Sequence, residues 1–421
     1  MKRGKNISRR KGERGVVILL VAVFLLFVVG AMAALAIDVV TFYTARSEAQ
    51  LAADGAALAA ARVIANSGMT SDPTNFTLVA NVEILARTVA TQVAVHNKVG
   101  GRYLIDNGTE ITININPSAT AGSANPQVTV HISRNDLPTF FARIWGRTQV
   151  AVSATATAEA YNPSGLNAAA GDAPPVAPVC VKPWVLPNLD PAGASTIFDP
   201  ASGAITDPGL LSADLSPPGT RLYSQDPASP PSQWRYYAGD QLSFLAPTQS
   251  VPTCTVPLTP YQKSIAGCVQ SPIACNSMVN LDSSAYPTRD AETRQAVNCL
   301  THSENDNGDS LDTSGGPSPP FVFVAGDDNP LGPPPGTKLL VSDSVVTVPV
   351  YNSTGAVPTS PVQVIGFVQL FLNPDGNGGQ PPIPDRIKTK VINLVGCGTN
   401  ATGQPILGNG ASAVAVRLLS P

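Results

Sequence analysis

Only three histidines occur, His96, His131 and His302, so imidazole-based chemistry has few places to sit. His302 follows Cys299 by three residues, but a zinc site needs a second ligand pair and no second Cys/His pair stands at that spacing. The strings of a serine-hydrolase elbow, a His-Glu-x-x-His metalloprotease and a P-loop are absent. The densest carboxylate cluster is ENDNGDSLDTSGG, Glu304 to Gly316, with Glu304, Asp306, Asp309 and Asp312. Calcium could use such oxygens, yet the regular alternate acids, the sixth-position glycine and the terminal Glu of an EF-hand are missing, so a solvated acidic loop is expected. GNGG, Gly376 to Gly379, reads as a turn because no strand-to-helix switch with a lysine follows. No catalytic, cofactor-binding or metal-ligating residue is assigned, and no enzyme activity or cofactor is expected.

The remaining reactive side chains are six cysteines, Cys180, Cys254, Cys268, Cys275, Cys299 and Cys397, all in the second part of the chain. An even count in an exported segment suggests disulfides, but six cysteines allow fifteen pairings, and free buried thiols are the alternative. Cys268 and Cys275, seven apart, either close a small loop or reach more distant partners.

Whether those cysteines meet an oxidising compartment depends on the N-terminus. Lys2, Arg3, Lys5, Arg9, Arg10, Lys11 and Arg14 stand among the first fourteen residues with one acid, Glu13. Val16 to Ile37 then contains no ionisable residue, and at ~1.5 Å per helical residue it spans ~33 Å, close to the ~30 Å hydrocarbon core of a bilayer. Basic residues flanking a first apolar segment stay in the cytoplasm, so Arg9, Arg10, Lys11 and Arg14 should orient the helix with everything after Asp38 on the far side. A cleavable signal peptide is the rival reading, with Ala34-Leu35-Ala36 offering small residues at the cleavage site. Against it, no turn signal follows Ala36, and Asp38 to Val63 continues as good helix formers.

Composition agrees with export. Charged residues are only 13% of the 421, while 35 glycines and 40 prolines make the chain loop-rich. A formal charge of −3 leaves no overall basic field for nucleic-acid phosphates. Only Pro73, Pro117, Pro126 and Pro138 precede residue 160, which places a boundary in the linker 161–179. The expected organisation is a basic cytoplasmic tail (1–15), a transmembrane helix (16–37), an α+β domain (38–160), the linker, and a Pro/Cys-rich, loop-rich mainly β domain (180–421).

Within 38–160, Ala45, Ala49, Ala52, Ala56 and Ala59 form a narrow helical stripe suited to close packing on another helix, in this domain or in a partner, including a helix-mediated oligomer. A second helix is expected between the Asp72-Pro73 cap and the stop at Gly100-Gly101, with Leu78, Val82, Leu85, Val89, Val93 and His96 on one face. Alternating Ile111/Ile113/Ile115, Val128/Val130/Ile132 and Val150/Val152/Ala154/Ala156/Ala158 predict half-buried strands, with a short helix near Leu137–Trp145. Two helices on a small, largely antiparallel sheet result. Beyond residue 180, β runs are expected at 321–325, 338–350, 362–372, 387–395 and 413–419, with the nearly continuous apolar run VQVIGFVQLFL as a central strand.

The basic tail, GERGVVILLVAVFLLFVVG (12–30), IDVVTFYTAR (37–46) and QLAADGAALAAAR (50–62) together resemble the N-terminal module of TadE/TadG-like proteins of Tad (Flp) pilus assembly. FFARIWGRTQVAVSATATAEA (140–160) is similar to the segment that closes that module. The resemblance implies an inner-membrane component of a pilus-assembly machine, with other assembly proteins or pilin subunits as partners, and no enzyme chemistry. Asp38 and Asp54 match acidic positions of the family; read from the residues alone they are an interfacial charge and a solvated helix face. A pilin of this system carries Glu five residues after a cleaved Gly; here those positions are Arg9, Val17 and Leu20, which disfavours a processed pilin. Larger relatives carry a von Willebrand A-like domain with Asp-x-Ser-x-Ser, a string absent here.

The expected function is that of a membrane-anchored envelope protein supporting Tad pilus assembly or anchoring. The alternative is a membrane-tethered extracytoplasmic binding or hydrolytic domain on the same anchor.

Overall fold

The computed structural model describes residues 13–117, 125–162, 177–190, 195–212, 221–223, 234–235, 237–238, 254, 257–269, 271–281, 290–304, 307–312, 320–352, 360–377, 386–397 and 412–419. The expected tail 1–15 falls almost wholly outside them, as does linker segment 163–176. The chain is α+β, with an N-terminal long apolar helix, a small helix-plus-antiparallel-sheet region and a mainly β region.

Helix α1, Glu13–Ala65, is a single helix of 53 residues. It contains no proline, and its helix-favouring Ala, Leu, Arg and Glu carry it past the apolar segment without a break. Its first part is largely exposed, with Phe24, Leu26 and Phe27 among the most open side chains, although Ala34 is buried. From Ala45 onward one face is buried. Helix α2, Phe76–Val95, starts three residues after the expected Asp72-Pro73 cap, because Asn75 Oδ1 accepts the Leu78 N–H at 3.1 Å while Asp72 is taken by Thr74. Its buried seam also differs from the expected one. Leu78, Val79, Val82, Ala86, Val89, Ala90 and Ala94 are buried, whereas Leu85 and Val93 are half-buried and His96 is exposed. The seam follows the alanines, which admit a closer neighbour than leucine would.

Strands β1 (Lys98–Val99) and β2 (Arg102–Tyr103) make a small hairpin around Gly100 and Gly101. Gly100 has φ +59°, and a Cβ there would meet Leu137 Cδ2 at 2.2 Å, so only glycine fits. Strands β3 (Ile111–Asn116), β4 (Gln127–Pro138) and β5 (Gln149–Tyr161) follow, with the predicted alternation visible in the burial of Ile111, Ile113 and Ile115 and of Val128, Val130 and Ile132. The short helix expected near Leu137–Trp145 is one 3-10 turn, Ala142–Trp145, because β4 extends to Pro138.

Strands β6 (Trp184–Pro187), β7 (Arg221–Tyr223), β8 (Trp234–Arg235) and β9 (Tyr237–Ala238) precede helix α3 (Pro260–Ala266). Strand β10 (Met278–Val279), helix α4 (Asp290–Leu300) and strands β11 (Ser310–Asp312), β12 (Val322–Val324) and β13 (Lys338–Leu339) come next. The chain continues through β14 (Val345–Tyr351), β15 (Val362–Leu372), β16 (Arg386–Gly396) and β17 (Ala415–Leu419). The main sheet has the order β8-β7-β16-β15-β14-β6-β9, with β10 also on β15. Its long central pairs are antiparallel, while β14–β6 and β7–β8 are parallel. Strand β15, the expected central strand, is buried along almost its whole length between β14 and β16. Helices α3 and α4, which the turn-rich sequence hides, cover this sheet through Tyr261, Ile265, Ala296, Val297 and Leu300. Strands β11-β12-β13 form a separate small sheet.

The last strand departs from expectation. β17 joins the four-stranded sheet β17-β5-β4-β3 and not the main one. Arg417 lies opposite Glu159 and pairs with it at 2.6 Å, and its guanidinium stacks over Tyr161, so the register is fixed by charge as well as by backbone.

Two compact units are present, one formed by Met1–Gly55, Thr91–Thr112 and Val130–Ala156, the other by Ala56–Ala90, Ile113–Thr129 and Thr157–Pro421. The division cuts across α1, α2 and β3 to β5.

Candidate functional site

The first unit holds a candidate membrane-spanning helix. Val16–Ile37 is long and apolar enough to cross a bilayer. Helix α2 also meets that length, but it is partly buried and therefore reads as a core helix. Immediately after the apolar run stands Asp38, which the sequence presents as an exposed boundary charge. In the structure it is only 1% exposed, covered by its immediate contacts. Its Oδ1 accepts the Phe140 N–H at 3.0 Å, and its Oδ2 accepts those of Phe141 and Ala142 at 3.0 and 2.7 Å. Loss of water would raise the Asp38 pKa; the three backbone donors outweigh it and hold the carboxyl below its ordinary value. These donors open the 3-10 turn, so the carboxylate caps it from a residue 102 positions earlier.

Further along, Glu48 Oε2 accepts the Gly100 N–H at 2.7 Å. Asp54 accepts from Gln50 at 2.8 Å, an i, i+4 pair on the helix. Gln50 also reaches the Thr155 carbonyl at 3.3 Å. Arg102 bridges Glu110 at 2.6 Å and Asp136 at 3.2 Å, and Arg134 holds Asp136 at 2.8 Å. The Arg134 hydrogen bond, reinforced by Arg102, holds the Asp136 carboxyl below its ordinary value, while Arg102 overcomes the desolvation of Glu110. Each charge in this group has an internal partner, which suits a positioning role better than proton transfer.

The second unit contains a cavity of about 460 Å³ lined by Arg62, Lys182, His302, Ser342, Asp343 and Gln369, among others. Lys182 is fully enclosed and donates to the Ile265 and Gly267 carbonyls at 2.6 and 3.0 Å; burial pushes its amine down to about 8. His302 Nε2 lies 3.2 Å from Asp343 Oδ2. This lining offers ionic and hydrogen-bonding contacts to a small polar guest.

The turn after α1 is knotted to β16 in the same unit. Asn393 Oδ1 accepts the Gly68 N–H at 2.9 Å, and its amide donates to the Ala65 carbonyl and, at 2.7 Å, to Gln369. Ser71 exchanges two hydrogen bonds with Leu394, whose carbonyl also takes a bond from Asn162. A polar residue inside the apolar run VINLVG was the available signal, but its partners Gly68 and Ala65 lie more than 300 residues away.

Of the residues singled out by sequence, Arg9, Arg10 and Lys11 lie outside the described residues, and Arg14 is the second residue of α1. Ala45, Ala49, Ala52 and Ala56 are buried; Ala59 is half-buried, because the seam advances through Ala53, Ala57, Ala60 and Ala61 as a 3.6-residue period requires. All six cysteines are paired at disulfide distance: Cys180 with Cys268, Cys254 with Cys299, and Cys275 with Cys397. Cys268 and Cys275 thus take distant partners and close no small loop. Asp309 overturns part of the acidic-loop expectation. It is buried, and it accepts from the Gly326 N–H, Asn329 and Ser342, so its carboxylate organises a turn. Asp306 and residues 313–316 of that cluster lie outside the described residues.

Residues 15–63 match the Tad family model, TadE/G-like Flp pilus assembly. No curated protein and no solved structure matches the chain. The matched stretch is almost all of α1, from the apolar segment through the alanine face, and it includes Asp38 and Asp54.

Proposed function

Starting from a chain whose N-terminal helix carries the TadE/G-like pilus-assembly module, we propose that this is a single-pass protein of the bacterial inner membrane that supports Tad (Flp) pilus assembly or anchoring. Its N-terminus is cytoplasmic and the bulk of the chain is periplasmic or extracellular. The observation that carries the reading is the coincidence of the matched residues 15–63 with the membrane-crossing helix and its alanine-lined continuation. The role is structural. Pilin subunits or other assembly proteins are the partners, and the alanine face of α1 is suited to close helix packing. Three disulfide-distance cysteine pairs support an oxidising compartment for the second unit.

Deleting the gene is expected to remove surface pili and surface attachment, with restoration by the full chain and none by a chain whose residues 15–63 are replaced by an unrelated single-pass helix. Normal pilus numbers in the deletion strain would refute the proposal.

The cavity with Arg62, Lys182, His302 and Asp343 favours a second reading, a membrane-tethered binding domain for a small polar ligand. Saturable binding by the full chain, together with unaltered piliation in the deletion strain, would select it.

A further inference from the structure

We propose that the closed loop Thr139–Thr148 is a second membrane contact, seated in the headgroup region of the bilayer that α1 crosses; the proposal rests on the reading of residues 16–37 as that crossing. The height of the loop follows from Asp38. An aspartate is strongly disfavoured in hydrocarbon, so the residue that ends the 22-residue apolar run marks the water edge of the membrane. Three hydrogen bonds of 2.7–3.0 Å from Phe140, Phe141 and Ala142 fix the loop at that edge.

The loop is built to stay folded there. Its neck is closed by the Thr139 N–H on the Thr148 carbonyl at 3.3 Å and by the Thr139 hydroxyl on the Arg147 carbonyl. Inside it, the Arg147 N–H reaches the Ala142 carbonyl at 3.1 Å. What it presents outward is apolar and cationic. Phe140 is 63% exposed although its own N–H is pinned, and Arg143 and Arg147 are exposed. On α1, within about 8 Å above Asp38 at 1.5 Å per residue, Val40 (64%) and Tyr43 (72%) are exposed too, and Arg46 follows. In water, such an aromatic and aliphatic surface is costly to leave exposed. At a bilayer edge, aromatic rings occupy the headgroup level and arginines meet lipid phosphates while their stems lie against the acyl boundary. The occupant is therefore the anionic lipid surface itself, continuous with the lipid around residues 16–37.

The experiment uses the full chain, disulfides oxidised, in vesicles of phosphatidylethanolamine and phosphatidylglycerol. An environment-sensitive fluorophore is carried on Phe140→Cys or, in a second variant, on Arg143→Cys. We expect quenching by nitroxides near the headgroup and iodide quenching weaker by about threefold or more than in lipid-free micelle-diluted, denatured chain. A label on Phe27→Cys should instead respond to nitroxides near the acyl terminus. Adding Asp38→Asn, which removes the charge that caps the turn, should return the Phe140 label toward iodide accessibility while leaving the Phe27 label protected. An iodide-accessible loop beside a protected Phe27 label would overturn the proposal and leave the anchor intact. Iodide access at both positions would overturn the crossing and the proposal with it. A loop label indifferent to Asp38→Asn would refute the role given to that carboxylate.

Discussion

Asn393→Leu is expected to lower the stability of the second unit by about 3–5 kcal/mol, because the change leaves a connected set of buried polar groups without partners. Leucine is close in size, so little of this loss comes from a cavity. What is lost is the acceptor for the Gly68 N–H and the donors to the Ala65 carbonyl and Gln369, at a site with no measurable exposure. Each orphaned buried group costs about 1–3 kcal/mol, and water has no route to replace the partner. Asn393→Asp should be no milder, since it sets a carboxylate against the Ala65 carbonyl and the Gln369 oxygen. The check is the denaturant midpoint of the full chain in detergent, followed by far-ultraviolet circular dichroism. A midpoint equal to that of the unaltered chain would show that the knot between the α1–α2 turn and β16 contributes nothing.

Reduction, which opens all three cystines, is expected to have a larger effect. The three cystines link residues 88, 45 and 122 positions apart. In the chain-entropy description each such closure stabilises by about 4–5 kcal/mol, before any strain in the folded state is subtracted. That contribution matters in a unit whose sheet is long but whose connections are rich in proline and glycine. The unreduced protein should therefore resist thiol alkylation, accept label at all six positions after reduction, and then lose resistance to protease. Cys275→Ser with Cys397→Ser, which opens the longest loop, should show the largest single loss. Full labelling of the native, unreduced protein would contradict the pairing.

Both effects arise from features the sequence conceals. Local periodicity is legible: the apolar run and its helical continuation, the alternation of β3 and β4, and the buried centre of β15 can all be read from neighbouring residues. Partners far apart in sequence cannot. Asp38 looks like an interfacial charge until Phe140, Phe141 and Ala142 are brought beneath it. Asn393 looks like a blemish in an apolar strand until Gly68 arrives. The start of α2 moved to Asn75 because two potential caps stand three residues apart, and Thr74 occupies the first. Helices α3 and α4 are short, and α3 carried as local signals the capping box of Thr259 and Gln262 and Pro260 at its first position. The cystine pairing is a matter of topology, and no spacing rule selects it among fifteen.

The claim on which the rest depends is that residues 16–37 cross the membrane once and leave the remainder outside the cytoplasm. A pair of reporters fused after Pro421 tests it directly, one active only after export and the other only in the cytoplasm. The account predicts activity from the exported reporter alone, and a weaker preference when Arg9, Arg10, Lys11 and Arg14 are neutralised together, since basic residues at the helix start set the orientation. Activity from the cytoplasmic reporter in the unaltered chain would contradict it.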